Sequence, residues 1–247
     1  TNGLSSKDSH SEQYAWIRLG VDGEAITLKN ARRVGFWMYV PEDNVQCMVQ
    51  GHYMTDSNGD GIGDIQGIIA KLDYVKSIGC NALWLNPIYD SPFQDAGYDV
   101  RDHKKVAPRY GTEEDLVHLF EEAHKLGIKV LLDLVPGHTS EQHPWFLESA
   151  KEERNEMSDR YIWTSNAFCG GDGMPFIGGE KPRDATYIIN FFKCQPALNY
   201  GYYNPNPKNS WEQAYEAPGP TAVRNELKKI IAYWCDMGAD GFRVDMA

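Results

Sequence analysis

Hydrophobic positions along the chain change period, and the changes mark its elements. After Asp64, apolar residues recur at helical spacing (Ile65, Ile68, Ile69, Leu72, Val75), with Asp64 as a candidate N-cap and Gly79 as the stop. A short apolar run, Ala82 to Leu85, reads as a buried strand. Thr112 followed by Asp115 forms a capping-box pattern ahead of Leu116, Leu119, Phe120, Ala123 and Leu126, and Gly127 ends that helix. Ile128 to Val135 reads as the next buried strand. The stretch 137–219 breaks this rhythm: it is rich in Gly, Pro, Asn and aromatics, and too long for an ordinary strand–helix loop. Pro220 then opens a helix carrying Val223, Leu227, Ile230, Ile231 and Trp234, stopped by Gly238, and Gly241 to Val244 forms one more strand. Alternating strands and helices predict parallel strands joined by right-handed crossovers.

The N-terminal region differs. Residues 1–13 are polar and Ser-rich and read as a disordered tail or linker. Residues 14–45 hold short β-like runs, with Val34 to Val40 the clearest before a turn signal at 41–44, and Cys47 to Gln50 suits a further strand. The expected organisation is a β-rich segment at 14–45, an α/β unit at 46–136, an insertion at 137–219, and a last helix and strand at 220–247.

Composition narrows the function. With 24 Lys and Arg against 35 Asp and Glu, the net charge is −11, which argues against nucleic acid or an anionic membrane as the main partner. No apolar run approaches the roughly 18 residues of a membrane span. Nothing near Thr1 reads as a signal peptide, although a processed leader remains compatible with that start. The cysteines (Cys47, Cys80, Cys169, Cys194, Cys235) fit no zinc spacing. Cys47 and Cys235 read as buried small hydrophobes. Cys169 and Cys194 flank a loop-rich stretch, where free thiols are favoured over a bridge.

Three groups of residues carry candidate chemistry. Asp56-Ser57-Asn58-Gly59-Asp60-Gly61-Ile62-Gly63-Asp64 places oxygen donors at alternate positions, as hard Ca²⁺ requires, with Ile62 offering a carbonyl; the twelfth-position Glu of an EF-hand is replaced by Gly67. The plain alternative is a solvated acidic turn. Arg243 and Asp245, two apart on a strand, point to one face at its C-terminal end, where parallel barrels place their chemistry. A structural ion pair would have the same spacing. Asp133 and His138 end the preceding strand, and Asp95, Tyr98 and Asp99 follow the Trp84 strand. A tyrosine face stacks on a pyranose and carboxylates accept from its hydroxyls, but ordinary loop and turn residues fit these positions too.

Taken in order, DSNGDGIGD (56–64), GYDV (97–100), DLVPGH (133–138), QPALN (195–199) and GFRVD (241–245) resemble the motifs of glycoside hydrolase family 13, the α-amylase and α-glucosidase family. The resemblance runs from about residue 47 onward and is nearest to the oligo-1,6-glucosidase-like members. It implies an α/β fold: part of a (β/α)₈ TIM barrel, about its first four strands, with a domain B-like insertion after the third strand and a short β-rich N-terminal segment. It further implies Asp245 as catalytic nucleophile and Arg243 as the arginine that orients it. His138, Asp133 and Tyr98 match residues around the −1 sugar, and Asp95 matches the grip on the non-reducing end, with Asp99 beside it. Asp56, Asn58, Asp60, Ile62 and Asp64 match the calcium loop. The implied reaction is retaining hydrolysis of α-glucosidic bonds in an α-glucan or maltooligosaccharide.

The sequence also departs from the family. Gly137 stands where Asn is usual, Ala197 replaces the Asp of QPDLN, and 47–53 matches the first strand loosely. The family's acid/base Glu and transition-state-stabilising Asp follow the fifth and seventh strands, beyond Ala247. The resemblance therefore reads as the N-terminal half of a catalytic domain, with the remaining half of that domain as an expected partner. Transglycosylation by the same residues, or an incomplete sugar- or calcium-binding fragment, are the alternatives.

Overall fold

The computed structural model describes residues 20–21, 24–25, 57, 62–170 and 173–246. The expectations for 1–13, for most of 14–45, for Cys47 to Gln50, and for Asp56, Asn58 and Asp60 lie outside the described residues. The chain divides into two units, Thr1–Gly51 and His52–Ala247. In the first, Gly20–Val21 (β1) and Glu24–Ala25 (β2) pair antiparallel.

In the second unit the element order is α1 (Ile65–Ile69), α2 (Leu72–Ser77), β3 (Ala82–Trp84), β4 (Tyr89–Asp90), β5 (Asp102–Val106), α3 (Glu113–Lys125), β6 (Lys129–Leu134), α4 (Pro144–Ser149), β7 (Phe176–Gly178), β8 (Thr186–Ile188), α5 (Pro218–Met237) and β9 (Gly241–Val244). Asp64 caps α1 by accepting the Gly67 N–H at 2.7 Å. The expected single helix is broken at residues 70–71, where Lys71 N–H turns back to the Ile68 carbonyl at 2.9 Å, a tighter i→i−3 bond. Both halves of the Thr112–Asp115 capping box are present on α3. Its buried stripe is Leu116, Leu119, Phe120 and Ala123, at helical spacing. Gly238 ends α5 at φ +119°, a left-handed conformation that favours glycine.

β3, β6 and β9 form a parallel sheet in that order. Its central strand is covered by α3 and α5, and Leu116, Leu119, Phe120, Val130, Leu132 and Trp234 anchor the core. The reading of Ala82 to Leu85 as a buried strand is corrected: Ala82 and Trp84 are exposed, because among the described residues β3 lies at the sheet's edge. Cys235 is also exposed, since one residue past Trp234 on a helix points about 100° off the buried face. Cys169 and Cys194 are free thiols.

Between β3 and α3 the sequence reading missed the antiparallel pair β4–β5, whose register shifts at Tyr89/Asp90. It holds both ends of the 91–100 loop. Arg101 clamps that loop's base with two 2.8 Å bonds to Asp90. The 137–219 stretch carries two further clusters, one around Phe146, Tyr161, Trp163 and Tyr187, joined by Val223 of α5, and one around Ile162, Ile188 and Trp211.

Beneath α5, His103 and His143 lie buried with ring centroids 5.5 Å apart. His143 Nδ1 accepts the Trp145 N–H at 3.0 Å as the N-cap of α4, which requires an unprotonated nitrogen. Burial pushes His103 down to about 4 and His143 down to about 2. Below the ordinary imidazole value near 6.5 the unfolded chain takes up protons that the folded chain refuses. Stability is thus complete above about pH 6.5 and falls as pH drops toward 4, by on the order of 2–3 kcal/mol from His103 alone. Urea midpoints measured at pH 7 and pH 5 should show this loss. His143→Asn, which keeps a capping side chain without a titrating one, should reduce the slope; an unchanged pH dependence would assign it elsewhere.

Candidate active site

The parallel register explains how the acidic residues meet. Asp133 and Arg243 are paired positions of β6 and β9 and share a face, with Asp245 next on that face. Arg243 Nη1 donates to Asp133 Oδ1 at 3.1 Å and Oδ2 at 3.2 Å, and to Asp245 Oδ1 at 2.6 Å. Asp133 Oδ2 also accepts from Trp84 Nε1 at 3.1 Å and Tyr98 Oη at 3.2 Å. Arginine and indole N–H groups only donate, so this shell is built for an ionised carboxylate. Burial nonetheless pushes Asp133 above the usual carboxylate range against these bonds. Burial also works against the Arg243 charge, but bonding and attraction from Asp133 and Asp245 outweigh it and raise its pKa. Arg243 lies over the Trp84 ring, 4.9 Å from the centroid. Burial, with the Asp133 charge, raises Tyr98 to about 12, so its hydroxyl stays protonated and donates.

His138 is 1% exposed and Asp133 is fully buried. His138 Nε2 lies 3.2 Å from the Tyr98 carbonyl, which only accepts, so Nε2 carries the proton. Burial lowers the His138 pKa despite that bond and the negative charges of Asp245, Asp95 and Asp99. The ring is therefore neutral near pH 7. Its backbone is held by residues 196–198: His138 bridges Ala197, Thr139 N–H donates to the Pro196 carbonyl at 3.3 Å, and Leu198 N–H donates to the Gly137 carbonyl at 3.0 Å. QPALN thus lies alongside DLVPGH, a pairing the sequence reading did not foresee.

Asp95 is presented by a turn in which Ala96 (φ +50°) and Gly97 (φ +101°) are left-handed. Its Oδ2 accepts from the buried Gln195 Nε2 at 2.7 Å. Asp99 is fully buried, and its two oxygens accept from Ser91 Oγ and the Gln94 and Asp95 N–H groups, each at 3.0 Å. Asp99 therefore ties the loop that carries Asp95 and Tyr98. A cavity of about 550 Å³ opens beside Asp95, with Glu141, Phe192 and Lys193 among its walls. Phe191 and Phe192 are exposed, and Phe191 meets the His138 ring edge-on at 6.1 Å. Trp84 and Phe191 were not singled out as site residues by sequence, the cue for each being an aromatic near a motif; Gln195 lies within QPALN, but its bond to Asp95 was not foreseen.

Of the expected calcium donors, Ile62 and Asp64 are described. Asp64 Oδ2 accepts from Ser57 N–H at 3.2 Å and Oγ at 2.6 Å, while Oδ1 accepts only the capping Gly67 N–H among the described residues. These bonds lower its pKa although burial opposes them. An ionised carboxylate whose Oδ1 takes a single bond among the described residues fits a hard cation.

A parallel α/β sheet that gathers an Arg-bridged pair of aspartates at its strand ends has the layout of the barrel enzymes. The chain belongs to the α-amylase family: the family's catalytic-domain profile matches residues 51–247. It is 41% identical over 199 residues to the oligo-1,6-glucosidase of Heyndrickxia coagulans, covering 77% of this chain and 33% of that protein. It is 39% identical over 208 residues to the trehalose synthase/amylase of Mycolicibacterium smegmatis, covering 81% and 32%. The trehalulose synthase structure from Pseudomonas mesoacidophila superposes with a TM-score of 0.66 at 34% identity, covering 78% and 33%. The chain therefore spans about a third of the length of these relatives. The family's catalytic domain is a TIM barrel, of which the three parallel strands form part.

Proposed function

We propose that the protein is a retaining glycoside hydrolase acting on α-glucosidic bonds of starch-type oligosaccharides. The observation that carries this reading is the Arg243 guanidinium joining Asp245 and Asp133 beside Tyr98 and His138. Asp245 attacks the anomeric carbon and forms a glycosyl ester, with Arg243 Nη1 aiming its carboxylate. A second carboxyl group about 5–5.5 Å away must protonate the leaving oxygen. Asp133 is unsuited to that task because it is buried and shares its bonds with Arg243. The family's glutamate after the fifth strand is the group this reaction calls for. Tyr98 stacks on the sugar, Asp95 accepts from its distal hydroxyls, and Asp99 acts through the loop it ties. His138 offers its Nε2–H to the sugar by exchanging it from the Tyr98 carbonyl as Phe191 turns aside. In this reading residues 137–219 are the domain B-like insertion and 14–45 the end of an accessory β segment.

The test is covalent trapping in the intact protein with a 5-fluoro-α-glucosyl fluoride, whose fluoride departs without a proton donor. Peptide mass mapping should place the added sugar on Asp245; a label elsewhere, or none, rejects the assignment. Sugar acceptors compete with water for this intermediate, and the synthase names among the relatives favour transglycosylation as a second outcome of the same chemistry.

We also propose that Asp56, Asn58, Asp60, Ile62 and Asp64 hold Ca²⁺ as a structural ion. Chelation should lower the melting temperature by several degrees, reversed by Ca²⁺ and less well by Mg²⁺. An unchanged melting curve would return the loop to a plain helix cap.

A further inference from the structure

We propose that Asn190, contributed by the insertion, is the positioning residue of His138, and that position 137 lacks a side chain because the Asn190 amide occupies that space. Asn190 Nδ2 lies 3.0 Å from His138 Nδ1. The Tyr98 carbonyl fixes the proton on Nε2, so Nδ1 of the neutral ring can only accept, and the amide must present its NH₂. The two contacts together define one tautomer and one orientation of the ring. A Cβ built on Gly137 would lie 2.7 Å from that same Nδ2, well inside van der Waals contact, and among the described residues beyond its chain neighbours Asn190 alone comes within 4 Å of it. Gly137 has no left-handed φ, so its backbone would accept any residue. The glycine therefore answers to the amide and not to a turn.

The amide is itself well placed. Asn190 N–H donates to the Gln195 carbonyl at 2.9 Å, and Ile189 beside it bridges Pro196. The segment that gives Asn190 to His138 thus also gives Gln195 to Asp95. The inference rests on the reading of His138 as a sugar-binding group only where activity is measured; the ring's hydrogen bonding is independent of that reading.

The experiment is a double-mutant cycle of Gly137→Ala and Asn190→Ala in the intact protein, labelled with ¹⁵N-histidine. In the wild type the His138 Nδ1 resonance should be that of a hydrogen-bonded acceptor. Each single substitution should move it to the unbonded position and lower kcat/KM for maltooligosaccharides roughly tenfold, the scale of one hydrogen bond. In the Asn190→Ala background, Gly137→Ala should cost nothing further, because the group it strikes is gone. Additive effects, or an Nδ1 resonance unmoved by Asn190→Ala, would overturn the proposal. If Nδ1 moves as expected while no variant turns over a glucoside, the positioning of His138 stands and the hydrolase reading fails.

Discussion

If the proposed reaction holds, Asp245→Asn in the intact protein should lower kcat for maltooligosaccharide hydrolysis by on the order of 10⁴- to 10⁶-fold, the range for losing a member of a covalent hydrolase's catalytic group. The substitution conserves shape, and the amide oxygen can still accept from Arg243 Nη1. On that proposal, what disappears is the ability to form and release a glycosyl ester. KM and the unfolding midpoint should therefore change little, which separates lost chemistry from lost folding. A variant retaining a tenth of the wild-type rate would show that another group attacks the sugar.

The second large effect is on stability. Arg243→Met should destabilise the fold by about 3–5 kcal/mol, because Asp133, fully buried, loses the positive charge that compensates it. Trp84 and Tyr98 would still donate to Oδ2, but neither carries charge. Burial already raises the Asp133 pKa, so the variant should bind a proton there and be less destabilised in mild acid. Combining Arg243→Met with Asp133→Asn should recover part of the loss, since the second change removes the uncompensated anion. Urea denaturation of the two single variants and the double variant measures this. A double variant no more stable than Arg243→Met alone would show that the cost lies in packing on Trp84.

These effects also show what sequence can and cannot reveal. Asp64, the Thr112–Asp115 box and Gly238 were legible because helix ends are set by contacts within a few residues. That Arg243 and Asp245 share a face follows from strand geometry alone. The pairing of Asp133 with Arg243 depends on register between strands over 100 positions apart, which nothing local encodes. The β4–β5 pair was missed because DHKKV has the polarity of a loop and β4 has two residues. Asp99 matched a motif, yet its carboxylate is taken up by its own loop, and only the hydrogen bonds reveal that role. Trp84 drew no attention because one indole in an apolar run looks like core.

The pairing of 196–198 with the backbone on both sides of His138 bears on attempts to retarget the protein. Grafting the insertion of a relative to change its preference would also replace the strip that holds the imidazole in register. A working chimera would need residues 137–139 and 190–198 exchanged together, as one cassette.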